Sequence, residues 1–92
     1  MINTKEKKQE SVDVLEQKTK KYEIILFNDD VNTFDFVIDA LIDVCEHTPE
    51  QAEQCTLLVH FKGKASVKNG TYKDLEPRCT KLLNMGLSAE IV

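Results

Sequence analysis

Asn28-Asp29-Asp30 and, thirty residues further on, His60 are the side chains of this 92-residue chain whose types and setting could do chemistry. An amide followed by two carboxylates is anionic and rich in acceptors, and a histidine brought beside it would add an imidazole nitrogen. Both groups lie between strongly apolar stretches, so the cluster belongs at the rim of a core. Two readings stand together. Turn residues between a strand and a helix are ordinarily a turn and an N-cap; with His60 alongside, the same residues make a binding site. His60, in the last turn of a helix, also reads as a dipole partner or a packed aromatic. No acid–base pair or activated nucleophile is recognisable near these acids, so the chain is not read as an enzyme.

The elements that must position these residues are legible in order. Tyr22-Glu23-Ile24-Ile25-Leu26-Phe27 is short, β-branched and aromatic, which predicts a central strand buried on both faces or nearly so. Asn32 or Thr33 then caps a helix with Phe34, Val37, Ile38, Leu41, Val44 and Cys45 on its core face and Asp35, Asp39, Asp43 and Glu46 opposite. Thr48-Pro49-Glu50-Gln51 predicts a capping box and a second helix to about Phe61, with Ala52, Cys55, Leu58 and Val59 inward and Gly63 as its left-handed stop. A half-buried strand over Lys64–Lys68 closes in an Asn69-Gly70 turn. Asp74 caps a third helix with Pro77 in its first turn and Leu75, Cys79, Leu82 and Leu83 apolar. Gly86 ends it, and Leu87, Ala89 and Ile91 alternate as a last strand. The order β-α-α-β-α-β predicts a small α+β two-layer sandwich, a three-stranded antiparallel sheet with three helices on one side.

Bulk properties narrow the partners. The chain is long enough for one domain with a modest core. Residues 1–20 carry five lysines and four acids with few large apolar groups, which predicts a flexible N-terminal extension, leaving 21–92 as the core domain. The remainder is acidic, seven basic residues against twelve acids, within a net charge of −4. An acidic body without a basic, aromatic-interleaved patch argues against nucleic acid and favours a cationic ligand. No apolar run approaches the roughly 20 residues that span a bilayer, and no secretory signal is visible, so no membrane association and a cytoplasmic location are expected. Cys45, Cys55 and Cys79, odd in number and within helical patterns, suit free buried thiols. Cys45, His47, Cys55 and His60 match no familiar ligand spacing, so neither a metal nor a cofactor is expected.

Taken together, Tyr22-x-Ile24-Ile25-Leu26-x-Asn28-Asp29-Asp30, Phe36-Val37-Ile38-Asp39 and Val59-His60-Phe61-x-Gly63-Lys64-Ala65 resemble the ClpS family in residue type, order and spacing, over about Tyr22 to Val67. The resemblance implies a monomeric, non-enzymatic adaptor. It would bind the destabilising N-terminal residue of N-degron substrates and deliver them to the N-domain of a Clp-type AAA+ unfoldase, ClpA- or ClpC-like, for its peptidase. It implies that Asn28, Asp29 and His60 hold the substrate α-amino group, with Asp30 and Asn32 shaping the mouth or contacting the first peptide group. Phe34, Val37, Thr56, Val59 and Leu87 would line the side-chain pocket. Asp74 would match an acidic contact to the unfoldase, and the N-terminal extension would take part in delivery. The sequence departs from the family where Val31 replaces a tyrosine, Thr33 a proline, and Phe34 and Thr56 each a methionine; the region after Val67 is also short. The alternative reading is a non-proteolytic interaction module on the fold of the L7/L12 ribosomal stalk C-terminal domain.

Overall fold

The computed structural model describes residues 20–92; the extension expected over 1–20 lies outside them, save Lys20. Three strands and three helices follow in the order β1 (Tyr22–Phe27), α1 (Phe34–Cys45), α2 (Pro49–Lys62), β2 (Lys64–Gly70), α3 (Tyr72–Asn84) and β3 (Ser88–Ile91). The strands form one antiparallel sheet in the order β2-β1-β3, so β1 is central as its composition predicts. All three helices are packed in one layer over a single face.

That one-sided cover corrects the expectation for β1. Ile24 and Leu26 are fully buried under the helices, but Ile25 and Phe27, on the other face, are only half buried. The apolar run Ile24–Phe27 thus serves a sheet with one open side, where alternation is the usual pattern. A register shift between Ile24 and Ile25, opposite Lys68 and Ser66, leaves Val67 as an extra residue in β2.

The helices keep their expected caps where a hydroxyl stands first. Thr33 Oγ1 accepts from Phe36 N at 3.1 Å, and Thr48 and Gln51 form the complete capping box. Phase is less well read from the apolar residues alone. Ala52, Thr56 and Val59 are the buried stripe of α2, while Leu58 is 43% exposed and Cys55 half buried. In α1 the inward positions include Ala40, and Phe34 is 38% exposed. A helix turns by its geometry, so a small or hydroxylated residue on the facing stripe is buried before a large one off it.

The second half differs more. Asn69 and Gly70 belong to β2, with Gly70 buried opposite Tyr22, and do not form a turn. Thr71, not Asp74, caps α3, its hydroxyl accepting from Asp74 N at 3.2 Å. Pro77 consequently lies beyond the first turn, on the exposed side, where water can reach the Lys73 carbonyl that loses its helical donor. Leu75, Cys79 and Leu82 are buried, but Leu83 is 50% exposed. Arg78 binds the far end of α1 instead: its Nη1 donates to Val44 O at 2.7 Å and its Nη2 lies 3.6 Å from Glu46. The three cysteines are free. Desolvation pushes the Cys45 thiol up to about 11, which keeps it an apolar packing group.

Gly63 joins two parts of the molecule that matter below. It ends α2 at φ 89°, three residues after His60, and its carbonyl accepts from Asn28 N at 2.9 Å. A Cβ built on Gly63 meets nothing within 4 Å. Gly63→Ala is therefore expected to cost about 1–2 kcal/mol from backbone strain alone, with no steric clash. Urea denaturation checks this; a variant as stable as the parent contradicts the left-handed assignment.

Candidate functional site

Where β1 ends, the chain leaves the sheet through Asn28–Thr33 and enters α1. The turn is built by Asp29. Its Oδ1 accepts from Val31 N at 2.9 Å and from Asn32 N at 2.7 Å, and its Oδ2 accepts from the Asn32 side-chain amide at 2.9 Å. Such local bonds are what lets Asp hold a tight turn. The same Asn32 amide nitrogen donates to Gly86 O at 3.0 Å, in the connection between α3 and β3.

The Asn32 backbone N–H, then the Asn32 side-chain amide and, after the small opposing effect of burial, the Val31 N–H hold the Asp29 carboxyl below the usual carboxylate range. Asp29 therefore stays ionised at the threshold of α1, where the positive end of the helix dipole also favours negative charge.

Asn28, Asp29, Asp30, Asn32, Phe34, Val37, Thr56, Val59 and His60 line one cavity of about 310 Å³. Nine residues named from the sequence are thus brought together, from the β1–α1 connection, the first turn of α1 and the second half of α2. The β1–α1 connection and His60 supply the polar part of the lining, and Phe34, Val37, Thr56 and Val59 supply the rest. Thr56 adds little polarity, because its hydroxyl donates to Ala52 O at 2.7 Å within the helix. His60 is exposed and sets its ring edge-on to Phe61, centroids 5.1 Å apart. Val31, 88% exposed, stands on the loop between Asp29 and Asn32.

Two expected residues lie elsewhere. Leu87 does not line this cavity; it is buried in the core immediately after Gly86, because the turn that frees Gly86 folds Leu87 under α3. Asp74 sits in the first turn of α3, outside the cavity, with its Oδ1 3.3 Å from Arg78 Nη2. Two residues missed in the sequence are Gly63 and Gly86. Both were visible as helix stops, but their contribution is a carbonyl aimed at Asn28 or Asn32, and no side chain reports that.

A larger groove of about 610 Å³ lies between α2 and β2. Its histidine, His47, donates from Nε2 to Val67 O, leaving Nδ1 buried without a partner. Glu46 there pairs with Lys68 and Arg78. In the groove His47 and Glu46 are turned onto the fold, whereas the smaller cavity gathers Asn28, Asp29, Asp30 and the His60 ring with apolar residues in one lining, which makes the smaller one the candidate site. Among the described residues, no group of three His, Cys, Asp or Glu side chains is placed to hold a metal ion, and no helix is long and apolar enough to cross a membrane.

Residues 17–90 match the family model for the ATP-dependent Clp protease adaptor protein ClpS, and the chain belongs to that family. It is 46% identical over 66 residues to the ATP-dependent Clp protease adapter protein ClpS of Acetivibrio thermocellus, covering 72% of this chain and 65% of that protein. It is 42% identical over 60 residues to the Neisseria meningitidis ClpS adapter, covering 65% of this chain and 56% of that protein. The matches thus span less than two thirds of these relatives' length. The solved structure of Agrobacterium tumefaciens ClpS2 bound to L-phenylalaninamide superimposes with a TM-score of 0.75 at 22% identity, over 79% of this chain and 95% of that one. At that identity the likeness is one of fold. The family match does not favour the L7/L12-type alternative.

The Asp29 carboxyl gives a pH prediction. A carboxyl whose folded-state value is depressed adds stability that is fully present above its unfolded value and lost as pH falls through the folded one. The Asp29 carboxyl carbon should titrate below ordinary aspartates, and the Val31 and Asn32 amide protons should shift with it. NMR titration checks this; an ordinary or raised midpoint contradicts the hydrogen-bonded turn.

Proposed function

We propose that this chain is an adaptor that captures the free α-amino end of proteins bearing a large apolar first residue. It then presents them to the N-domain of a Clp-type AAA+ unfoldase, ClpA- or ClpC-like, for degradation. The observation that carries the reading is the cavity itself, whose one lining combines Asn28, Asp29, Asp30 and His60 with Phe34, Val37 and Val59. An α-ammonium is a compact cation with three donors, and an amide oxygen, a carboxylate and an imidazole nitrogen supply acceptors for it. The internal backbone has no such cation, and a lysine ammonium stands at the end of four methylenes with no apolar side chain beside it, so the arrangement selects chain ends. Burying a large apolar side chain against Phe34, Val37 and Val59 adds roughly 1.5–3 kcal/mol.

The relatives support the same reading. L-phenylalaninamide, the ligand of the Agrobacterium protein, is a free α-amine with a benzyl side chain, the chemistry this cavity suits. In this proposal the chain acts as a monomer in the cytoplasm and without catalysis: the carboxylates serve as acceptors and His60 as a ligand to the amine. Asp74, on the outer face of α3 beside Arg78, would face the unfoldase, and the sequence before Tyr22 would serve delivery.

Matched peptides beginning with Phe or Leu, with free and with acetylated N-termini, decide the matter by calorimetry. Acetylation removes the charge and two of the three donors, and is expected to weaken binding about tenfold or more. Equal affinity for free and acetylated forms overturns the proposal.

The wall predicts which side chains fit. Phe34 is the first residue of α1 and only partly covered, so it stands at the mouth. An aromatic ring is stiffer than the methionine usual in the family and cannot change rotamer to admit a methyl on the substrate Cβ. Leu and Phe N-termini are expected to bind at least ~10-fold more tightly than Ile, about 1.4 kcal/mol, and Phe34→Ala to narrow the gap. Fluorescence anisotropy on the three peptides checks this; equal affinities would show that Phe34 is no gate.

A further inference from the structure

Asn32 stands among the residues around the cavity, where the obvious role is to touch the ligand. Its hydrogen bonds say otherwise. The side-chain nitrogen faces two oxygens, Asp29 Oδ2 at 2.9 Å and Gly86 O at 3.0 Å. Both are acceptors, a carboxylate and a carbonyl, so the atom between them is the NH2 group, and its two protons are both engaged. No donor remains on that side chain for a bound peptide.

The Gly86 end of this link is itself held. Leu87 N donates to Leu82 O at 3.1 Å and Gly86 N to Leu83 O at 3.0 Å, closing the last turn of α3, with Gly86 at φ 89° and Leu87 buried beyond it. The Gly86 carbonyl therefore projects from a rigid turn anchored in the core. The Asp29 end is the carboxylate of the candidate clamp, which sits on a connection of irregular chain.

We propose that Asn32 is a positioning residue. It staples the Asp29 carboxylate to the α3–β3 turn at Gly86, 54 residues on from Asn32, and so holds Oδ2 in direction for the incoming α-ammonium. The staple orients Oδ2 through one proton of the amide and fixes the whole connection through the other. The charged and titratable groups that share the cavity with Asp29 are Asp30 on the same connection and His60 on α2. Neither bonds the Asn32 amide; the local turn fixes Oδ1 through the Val31 and Asn32 N–H groups, and the α3 side reaches Oδ2 through the Asn32 amide. The inference rests on the reading of the cavity as an amine clamp.

Two substitutions separate positioning from contact. Asn32→Asp keeps the size and the Oδ1 acceptor, removes both donors and adds a negative charge. If Asn32 touched the amine directly, the change would preserve or strengthen binding of a free-amino Phe peptide. As a staple, it should weaken binding about tenfold, because the two links are replaced by repulsion from Asp29 and Gly86 O. Asn32→Ala, without added charge, should raise the Asp29 titration midpoint in the ligand-free protein and move the low-pH limb of peptide binding upward with it. A residue that only stabilised the fold would leave that midpoint unmoved in a variant whose amide spectrum is otherwise retained. In the unmutated protein, both Asn32 side-chain amide protons should shift at the Asp29 midpoint. This measurement stands even if neither variant folds. Amide protons that ignore that titration, or an Asn32→Asp variant that binds as well as the parent, overturn the inference. Failure of the unmutated protein to bind free-amino peptides overturns the clamp reading instead, and the ligand-free titration still judges the staple.

Discussion

Three helices share one face of a three-stranded sheet, and most of the structure follows from that burial. Ile24 and Leu26 on β1 meet Leu41, Val59, Leu75 and Leu82 and the other apolar groups of the helix layer in a single cluster. A chain this short has no second core to draw on. Each helix must therefore present its buried stripe to the same few strand residues, which leaves little freedom in how α1 and α2 are set. The point at which β1 delivers the chain to α1, and the point at which α2 returns it to β2, are consequently brought side by side, as the Asn28 N to Gly63 O bond records. Acceptors from the β1–α1 connection and the imidazole from the last turn of α2 come to one cavity there.

The polar groups of the cavity divide into those that hold and those that are held. Asp29 uses both oxygens on its own turn and on Asn32: Oδ1 accepts twice, while Oδ2 accepts once and keeps lone-pair capacity for a further donor. A carboxylate so bonded is ionised and fixed in direction before any ligand arrives, which lowers the ordering cost of binding a cation. The larger groove between α2 and β2 shows the contrary arrangement. There His47 is turned onto the β2 backbone and Glu46 onto Arg78 and Lys68.

Arg78 gives the second half of the chain a comparable task on the other side of the molecule. It reaches from α3 to the last carbonyls of α1, pairing with Glu46, which takes the left-handed conformation at the α1 C-terminus, and with Asp74 on its own helix. Packing at one end of the helix layer and the Asn32–Gly86 link at the other tie α3 to α1 through groups that are polar and only partly covered. Those ties bear on orientation more than on gross stability, since partly exposed ion pairs contribute little.

How much of this was legible beforehand depended on whether a feature was local. Thr48-Pro49-Glu50-Gln51 specifies its capping box within four residues, and Gly63 and Gly86 mark helix ends because only glycine takes those backbone angles cheaply. Element order, sheet centre and the residues around the cavity were accessible from such local rules and from the family pattern. The α3 cap was not: Thr71 and Asp74 are both good capping residues, and β2 had to run on through Asn69 and Gly70 to pair with β1 before Thr71 was left at the helix start. Which side chains of α2 face inward was likewise a matter of phase against the sheet, which buried Thr56 and exposed Leu58. The sequence by itself determined the elements and the chemical groups available at their ends. Only the tertiary structure decided that the Asn32 amide meets Gly86, that Leu87 is buried in the core, and that His47 is turned onto β2 while His60 lines the smaller cavity. Those outcomes depend on distances between residues far apart in the chain, and no local preference encodes them.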